Sequence, residues 1–536
     1  MPAPLFDSAD RPKAEALCRL TWCNPFHDER PAIERQALGD AWQTPPADGL
    51  DWEGGLPIAA ANPNTLALTE LSFRLANEAR ERLRRRTPSA NELNTYRDLA
   101  VFALFYEFVG DFHKIIRTAR ERRAAPVRCT FYDKFRVELE RFFPTDQPSL
   151  PLGIPPEQLF ACFFQVRRAY AHIHECIIGA SPTARRLRGR VWQSIFTRDM
   201  SRYVHSLTGR MGDLITLITG PSGSGKELVA RAIGLSRHLP FDPSRREFAE
   251  DYLRGFYPIN LAALSPTLIE SELFGHRRGS FTGALGDRLG YFEVCGPHGT
   301  VFLDEIGETD NAIQVKLLRV LQTRVFQRIG DTEPRTFAGK IVAATNRDLA
   351  QEMRAGRFRE DLYYRLCADH VRTPALREIL QDSPGEMPNL IRHIAARITG
   401  PAEATKLTEE ASIFLQRNLP LDYPWPGNFR ELEQAVRNIL VHGDYVPESL
   451  NTMTTLSARE PAASHGSNGG TAELAAMLDA GQLTADELLR KYVGRVYQLS
   501  GSYEEAARRL ALDRRTVKKY LSSTASSITA SKLHSA

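Results

Sequence analysis

The strongest constraint on the fold is a glycine-rich segment that lies between an apolar run and a helical one. Leu214 to Thr219 reads LITLIT, which is typical of a buried strand, and GPSGSGKE follows it directly. The next residues, LVARAIGL, have a helical pattern. A strand, a glycine loop, a lysine and a helix in this order wrap backbone N–H groups around phosphates at a helix N-terminus. The sequence therefore predicts a phosphate-binding loop, and its residues are Gly220, Pro221, Ser222, Gly223, Ser224, Gly225, Lys226 and Glu227.

Two acidic residues follow a second apolar run, TVFLDE, which ends at Asp304 and Glu305. A Ser or Thr hydroxyl commonly binds Mg²⁺ at the position after the loop lysine, but this position is Glu227. The metal must therefore depend on another carboxylate and on water. We predict that Asp304 holds Mg²⁺, directly or through water, and that Glu305 polarises the water that attacks the nucleotide.

A third apolar run, KIVAAT, ends at Asn346, which is predicted to reach the γ-phosphate or the attacking water. The segment GRFREDLYYRL follows with Arg357, Arg359 and Arg365. Arginines on a surface helix are commonly solvated or ion-paired. They can also complete the site of a neighbouring subunit, where a guanidinium stabilises charge on the transferring phosphoryl group.

Length and composition indicate a globular, multidomain chain. A chain of 536 residues is too long for one core and is expected to form about three or four domains. No apolar run approaches the length of a membrane span, and the first residues lack the pattern of a secretion signal. The seven cysteines are irregularly spaced, which favours reduced thiols and a cytoplasmic location over a disulfide framework.

The C-terminal segment has the pattern of a helix-turn-helix. YEEAARRL, a short ALD turn and RRTVKKYL follow one another, with Ala506, Ala507, Val517 and Leu521 expected to pack inside. Residues 508–519 hold six basic residues and one acid. A charge run is commonly a solvated face, but here it falls on the predicted recognition helix, which favours contact with double-stranded DNA. The candidate DNA-binding residues are Arg514, Arg515, Thr516 and Lys518.

Seven motifs in one order give the chain a specific resemblance. They are GPSGSGKELVARAIG, ESELFGHRRGSFTGA, GTVFLDEIGE, QVKLLRVLQ, VAATNRDL, GRFREDLYYRL and YPWPGNFRELE. Together they resemble the AAA+ domain of bacterial enhancer-binding proteins, the activators of sigma-54 RNA polymerase, and the C-terminal segment is similar to their Fis-type domain. The resemblance implies an ATPase that assembles as a homo-oligomeric ring, commonly a hexamer. It also implies that ATP hydrolysis remodels the closed promoter complex.

The resemblance assigns roles residue by residue. Lys226 matches the phosphate-binding lysine, Asp304 and Glu305 the acidic pair, and Asn346 the sensor. Asn260, in YPINLAAL, matches the switch asparagine that holds the catalytic glutamate. Further matches are two arginine fingers, a lid arginine that senses nucleotide, and the Glu that the family places after the loop lysine; these residues are Arg359, Arg365, Arg430 and Glu227.

The most diagnostic motif is GSFTGA, in which two glycines bracket an aromatic residue and a hydroxyl. The family's loop reads GAFTGA and contacts sigma-54, so the resemblance implies partner binding by Gly279, Ser280, Phe281, Thr282, Gly283 and Ala284. Ser280 replaces the usual Ala. The chain also departs from the family in a longer segment from His238 to Phe256 and in the entry to the lid, around CADHVRTPALREILQDSP.

The N-terminal region gives no functional motif. Residues 1 to about 65 show few periodic apolar positions, whereas Thr69 to Ile178 is helical in pattern, with an apolar stripe expected in a core. The stripe is Leu99, Phe102, Leu104, Phe105, Phe108, Val109, Phe112 and Ile116. Two groups of potential metal ligands lack a complete four-ligand spacing, which favours structural roles. They are Cys18, Cys23 and His27, and His172, His174 and Cys176.

The predicted fold class is multidomain: an α/β P-loop AAA+ core with a helical lid, a mainly α N-terminal domain and an all-α helix-turn-helix. The predicted boundaries are 1–177 for the regulatory domain, 178–375 for the ATPase subdomain, 376–450 for the lid, 451–480 for a flexible linker and 481–536 for the DNA-binding domain. The predicted function is ATP-dependent activation of sigma-54 transcription from upstream DNA, with ATP and Mg²⁺ as cofactors and no membrane partner. Two alternatives remain: a DNA-binding AAA+ regulator or repressor independent of sigma-54, and a protein-remodelling chaperone or protease partner built on the same ATPase fold.

Overall fold

The fold is taken from a computed structural model of the chain. It describes residues 5–44, 52–53, 56–57, 63–84, 89–123, 125–145, 150–420, 422–447, 484–500 and 502–521. The chain divides into two compact units, Met1–Tyr445 and Val446–Ala536. The predicted linker, 451–480, lies outside the described residues, and the other predicted domain boundaries stay predictions.

Six helices form the N-terminal part of the first unit. They are α1 (Arg11–Trp22), α2 (Arg30–Leu38), α3 (Asn64–Leu83), α4 (Ala90–Arg122), α5 (Tyr132–Phe142) and α6 (Pro156–Cys176), with a short strand pair, β1 (Trp52–Glu53) and β2 (Leu56–Pro57), between α2 and α3. The predicted apolar stripe lies on α4, where Leu99, Phe108 and Phe112 are fully buried. Helices α1 and α2 fall in the segment in which the sequence showed little periodicity. Each carries a proline in its first turn, where the missing N–H costs nothing.

The centre of the first unit is a five-stranded parallel sheet. Its strands are β3 (Thr216–Thr219), β6 (Phe256–Asn260), β9 (Thr300–Asp304), β12 (Lys340–Thr345) and β13 (Asp369–Arg372), and their order in the sheet is β13-β3-β12-β9-β6. The central strands β9 and β12 are almost wholly buried, as expected for a parallel sheet covered on both faces. Because the strands are parallel, their carboxyl ends, which carry the predicted site residues, meet at one edge.

Helices cover the sheet, and three short hairpins form separate two-stranded sheets. The helices are α7 (Pro182–Phe196), α8 (Met200–Arg202), α9 (Lys226–Gly234), α10 (Pro266–Phe274), α11 (Tyr291–Val294), α12 (Asn311–Thr323), α13 (Leu349–Arg354) and α14 (Glu360–Leu366). The hairpins are β4 (Phe241–Asp242) with β5 (Glu247–Phe248), β7 (Gly275–His276) with β8 (Arg288–Leu289), and β10 (Val325–Phe326) with β11 (Arg335–Thr336).

Among the described residues of the first unit, four further helices follow the sheet: α15 (Leu376–Asp382), α16 (Met387–Thr399), α17 (Pro401–Asn418) and α18 (Asn428–His442). They correspond to the predicted helical lid. In the second unit, α19 (Ala485–Ser500), α20 (Tyr503–Leu510) and a helix over 514–521 enclose a small core of Val493, Val496, Ala506 and Val517. The predicted fold class is confirmed. Among the helices that the structure describes, none has the length and hydropathy needed to cross a bilayer.

Candidate functional site

The glycine loop lies between β3 and α9, as the sequence predicts. Gly220, Gly223 and Gly225 have φ angles of 155°, 73° and 88°, which L-residues rarely adopt. A Cβ atom at Gly223 would overlap the carbonyl oxygen of Gly427, and one at Gly220 would overlap Thr373. Backbone conformation therefore favours glycine at all three positions, and close packing also requires it at Gly220 and Gly223.

Lys226 is the first residue of α9, and only 7% of its surface is exposed. Its Nζ donates to the carbonyl oxygens of Gly220 at 3.2 Å and Pro221 at 3.4 Å, and lies 3.6 Å from Oε1 of Glu305. The ammonium group is therefore held inside the loop and next to the acidic pair, where it can contact phosphate oxygens.

The acidic pair lies at the carboxyl end of β9. Burial, and then the charge of Glu305, raise the pKa of Asp304, whereas the charge of Lys226 lowers it. Glu305 has a φ of 54°, an uncommon conformation for a non-glycine residue. Its Oε2 accepts a hydrogen bond from the backbone N–H of Asn346 at 3.1 Å. The end of β9 is thus joined to the end of β12.

The two predicted asparagine residues lie at neighbouring strand ends. Asn260 is paired with Asp304 in the β6–β9 register. Its side-chain oxygen accepts hydrogen bonds from the backbone N–H groups of Ala262 at 2.9 Å and Ala263 at 3.2 Å, so it caps the turn that follows β6. Asn346 is exposed and contacts Glu305 through its backbone. The sensor and switch roles of these side chains remain predictions.

The lid contacts the glycine loop directly. The N–H of Phe429 donates to the carbonyl of Gly223 at 3.1 Å, and Nδ2 of Asn428 donates to the carbonyl of Ser222 at 2.9 Å. Arg430 is exposed, and its Cβ would lie 3.2 Å from a Cβ at Gly223. Asn428 was missed by the sequence reasoning, although it lies in the quoted motif GNFRELE.

A cavity of about 2070 Å³ joins these elements. Its lining includes the glycine loop, Asp304, Glu305, Arg430 and the segment 177–180. Ligand pockets commonly measure about 300–1,000 Å³, so the cavity has ample room for a nucleotide.

The predicted arginine fingers lie on and next to α14. The guanidinium of Arg359 forms two bonds to the carboxylate of Asp361, at 2.8 and 3.0 Å. Nε of Arg365 donates to the carbonyl of Leu321 at 2.9 Å, and Arg357 is paired with Glu352 at 2.7 Å. Arg365 is exposed and Arg359 is half-buried, and both lie outside the cavity lining.

The GSFTGA loop lies between β7 and β8. The ring of Phe281 is half-buried against His276, with ring centres 4.9 Å apart, whereas Thr282 is exposed. The base of the loop is held by Asp287, which accepts from the guanidinium of Arg277 at 2.7 Å and from the N–H of Arg278 at 2.9 Å. The loop therefore has a fixed base and an exposed tip.

The basic helix of the second unit begins at an aspartate cap. Asp513 accepts hydrogen bonds from the N–H groups of Arg515 and Thr516 at 2.8 and 3.0 Å, and also from the Thr516 hydroxyl. Arg514 is paired with Glu504 at 2.7 Å, whereas Arg515 and Lys518 are exposed. The side chain of Asp513 therefore caps the helix and also accepts a hydrogen bond from the Thr516 hydroxyl.

The candidate metal ligands of the N-terminal region do not form a metal site. His172, His174 and Cys176 lie on the last turns of α6, where a spacing of two spreads them around the helix. Across the part of the chain that the structure describes, no group of three or more His, Cys, Asp or Glu side chains has the arrangement of a metal site.

Comparison with known proteins gives the same assignment for the central region. Residues 196–372 match the family model of the sigma-54 interaction domain. The chain is 38% identical to the transcriptional regulatory protein ZraR of Klebsiella oxytoca over 312 residues, which cover 58% of this chain and 63% of that protein. It is 43% identical to the DNA-binding transcriptional regulator NtrC of Rhizobium meliloti over 230 residues, which cover 42% of this chain and 43% of that protein.

The chain thus spans less than two thirds of the length of these relatives. Among solved structures, NtrX from Brucella abortus in complex with ATP is 22% identical, with a TM-score of 0.38 over 79% of this chain and 86% of that one. Residues 196–372 therefore form a sigma-54 interaction domain, and over this central region the chain is similar to bacterial transcriptional regulators.

Proposed function

We propose that this chain is an ATPase that binds DNA upstream of promoters, assembles as a ring and uses ATP hydrolysis to open promoter complexes of sigma-54 RNA polymerase. The observation that carries the ATPase part is the position of Lys226, which lies within a glycine loop and 3.6 Å from Glu305. Such a protein acts on RNA polymerase and DNA and therefore works in the cytoplasm.

The residues at the sheet edge fit ATP with Mg²⁺. The loop presents backbone N–H groups at the start of α9, which suits phosphate oxygens. The carboxylates of Asp304 and Glu305 are the oxygen ligands that Mg²⁺ prefers, and Glu227 is exposed in the first turn of α9. Asp304 would hold Mg²⁺, which would neutralise charge on the phosphate oxygens.

Each side chain has a separate role in the proposed hydrolysis of ATP. Lys226 binds the β and γ phosphate oxygens, Asp304 holds the metal, and Glu305 orients and polarises the attacking water. In this proposal, Arg359 leaves Asp361 and, with Arg365, reaches the site of the next subunit. Only a ring or a similar assembly can provide that contact, because both residues lie outside this chain's own cavity.

The GSFTGA loop is the proposed contact with sigma-54. Its exposed tip and fixed base are suited to transmit a conformational change from the ATP site to a partner. Asp287 and Arg277 hold the base, and Arg277 also contacts Asp331 at 3.1 Å, in the loop between β10 and β11. Phe281 and Thr282 have no group suited to phosphoryl transfer.

The second unit is the proposed DNA-binding domain. Arg515 and Lys518 project from the basic helix, and Arg514 requires release from Glu504 to contact DNA. Arg515→Ala should cost about 1–3 kcal/mol and relax specificity if Arg515 contacts a base, whereas Lys518→Ala should weaken binding to all sequences alike. Fluorescence anisotropy at several salt concentrations measures both effects. Unchanged binding in both variants would contradict this placement.

The decisive experiment for the proposed function is open-complex formation at a sigma-54 promoter. Thr282→Ala should retain ATP hydrolysis and DNA binding but lose open complexes. Thr405→Ala, at an exposed threonine of α17, is the matched control and should behave as wild type. If Thr282→Ala opens promoters normally, the DNA-binding regulator independent of sigma-54 becomes the better proposal.

A further inference from the structure

The segment that follows the P-loop helix α9 packs into the N-terminal region. It contains the β4–β5 hairpin, within the stretch that is longer than in the family. Phe241, Phe248 and Tyr252 are buried among the aromatic residues of the N-terminal helices. The ring centres of Phe160 and Phe241 are 4.5 Å apart, and those of Phe164 and Phe248 are 3.9 Å apart. The N-terminal region is therefore packed against the ATPase sheet through this segment.

Arg168 of α6 lies at the centre of this contact and is only 2% exposed. One of its terminal nitrogens donates to the carbonyl of Arg237, whereas Nε and the other terminal nitrogen have no hydrogen-bond partner among the described residues. Nor does any carboxylate within that part of the chain form an ion pair with it. Its guanidinium lies near the rings of Phe164 and Tyr252, at 5.1 and 5.9 Å from the ring centres.

A buried cation without a carboxylate partner destabilises a fold by several kcal/mol unless other contacts offset the cost. Burial also lowers the pKa of Arg168 to about 10, because the charged form loses its hydration inside the protein. A methionine of similar volume would fill the same space without this cost. Stability alone therefore does not explain an arginine at this position, and its bond to Arg237 is the contact that a methionine could not make.

Arg168 binds the carbonyl of Arg237, which lies near the end of α9 and the starts of β9 and β6. Arg237 donates to the carbonyls of Pro297 at 2.8 Å and Gly299 at 2.5 Å, immediately before β9. A Cβ at Gly234, the last residue of α9, would lie 2.7 Å from the ring of Phe256, the first residue of β6. The far ends of α9, β9 and β6 carry Lys226, Asp304 and Asn260.

A second bond from α6 supports the same point. Nε2 of Gln165 donates to the carbonyl of Ser236 at 2.9 Å, and the Gln165 side-chain oxygen accepts from the hydroxyl of Tyr203 at 2.8 Å. Gln165 is 1% exposed. Two side chains of α6 thus bind consecutive carbonyl groups, those of Ser236 and Arg237, shortly after the end of α9.

We propose that Arg168 and Gln165 are positioning residues for ATP hydrolysis, and that the N-terminal region acts on the ATP site through them. They hold the rear ends of α9 and β9, and thereby the distance between Lys226 and Glu305 at the front. The inference rests on the proposed ATPase function. A displacement of about 1 Å at a reacting centre can cost about 100-fold in rate, so a partial loosening should cost about tenfold.

The test is steady-state ATP hydrolysis by the full chain. Arg168→Met should lower kcat about tenfold while the melting temperature stays equal or rises, because an unpaired buried charge has been removed. Arg168→Lys, which keeps a donor, should restore part of kcat. A role confined to stability would move kcat and the melting temperature together.

Gln165→Met and Tyr203→Phe form a matched pair and decide the question if Arg168→Met does not fold. Both disrupt the buried bond between Gln165 and Tyr203, but only Gln165→Met removes the donor to Ser236. Gln165→Met should lower kcat, whereas Tyr203→Phe should stay within about twofold of wild type. Equal losses in the two variants, or wild-type kcat in folded Arg168→Met and Gln165→Met, would overturn the inference. A wild-type protein that does not hydrolyse ATP would instead refute the proposed function.

Discussion

Two glycine-bracketed loops lie in the central domain, and their surroundings differ sharply. A Cβ at Gly220 or Gly223 of the phosphate loop would overlap neighbouring atoms, whereas one at Gly279 or Gly283 of the GSFTGA loop would meet nothing within 4 Å. All four glycines have positive φ. The comparison indicates that glycine allows close packing in the phosphate loop, whereas in the GSFTGA loop it lies in open space on either side of an exposed threonine.

The largest expected effect is a loss of ATP turnover that leaves the GSFTGA loop unchanged. Glu305→Gln should bind ATP but turn over about 10²–10⁴ times more slowly, because the carboxylate that polarises water is lost. Its GSFTGA loop should remain unchanged, since no contact among the described residues joins the two sites. Isothermal titration with ATP and a turnover assay measure the two quantities. Turnover near that of wild type would remove Glu305 from the mechanism.

The comparison itself predicts different outcomes for one substitution in the two loops. Alanine at either glycine adds about 1–3 kcal/mol of backbone strain. In Gly223→Ala the new Cβ also overlaps Gly427, so ATP affinity should fall by at least about tenfold, equivalent to about 1.4 kcal/mol. Gly283→Ala should keep wild-type ATP affinity. Equal losses in both variants would show that packing does not distinguish the loops.

How far the sequence predicts this site depends on how local each contact is. The glycine loop, the acidic pair and Asn346 follow from contiguous motifs, and the parallel sheet brings their strand ends together. Partners that are distant in sequence could not be predicted. Examples are the contact of Asn428 with Ser222, 206 residues away, and that of Arg168 with Arg237.

The hydrogen-bond partners of flexible side chains could not be predicted from the sequence either. Arg359 is paired with Asp361, and the hydroxyl of Thr516 donates to Asp513, the residue that caps its helix. Both residues were predicted from their motif positions alone, and a motif does not specify which nearby polar group a flexible side chain will choose. The sequence pattern did not single out α1 and α2, in each of which the second residue is a proline, a residue that breaks a helix when it lies in the interior.

A smaller effect, partial recovery of ATP turnover in mixed rings, tests whether another subunit completes the ATP site. Arg359→Ala and Glu305→Gln should each be nearly inactive alone. Mixed rings should regain some activity, because some interfaces then join an intact Glu305 to an intact Arg359. Turnover of mixed samples at several ratios measures the rescue. Rings that assemble without any rescue would place the action of Arg359 within its own subunit.

The smallest expected effect is at Ser280, which replaces the alanine usual in the loop. Its hydroxyl is buried without a hydrogen-bond partner among the described residues, and its Cβ would lie 2.7 Å from a Cβ at Gly330. Ser280→Ala removes only that hydroxyl, so ATP turnover and open-complex formation should stay within about twofold of wild type. A large loss of open complexes would assign the hydroxyl a direct role in partner binding.

The measurement that tests the central claim most directly is capture of sigma-54 by the ATPase in the presence of an ATP transition-state mimic. The GSFTGA loop should bind sigma-54 only when the phosphate loop holds the nucleotide. Wild-type protein with the mimic should therefore form a stable complex with sigma-54 on a native gel, and Thr282→Ala should not. A complex that forms equally well with Thr282→Ala, or with wild-type protein in the absence of the mimic, would contradict this account.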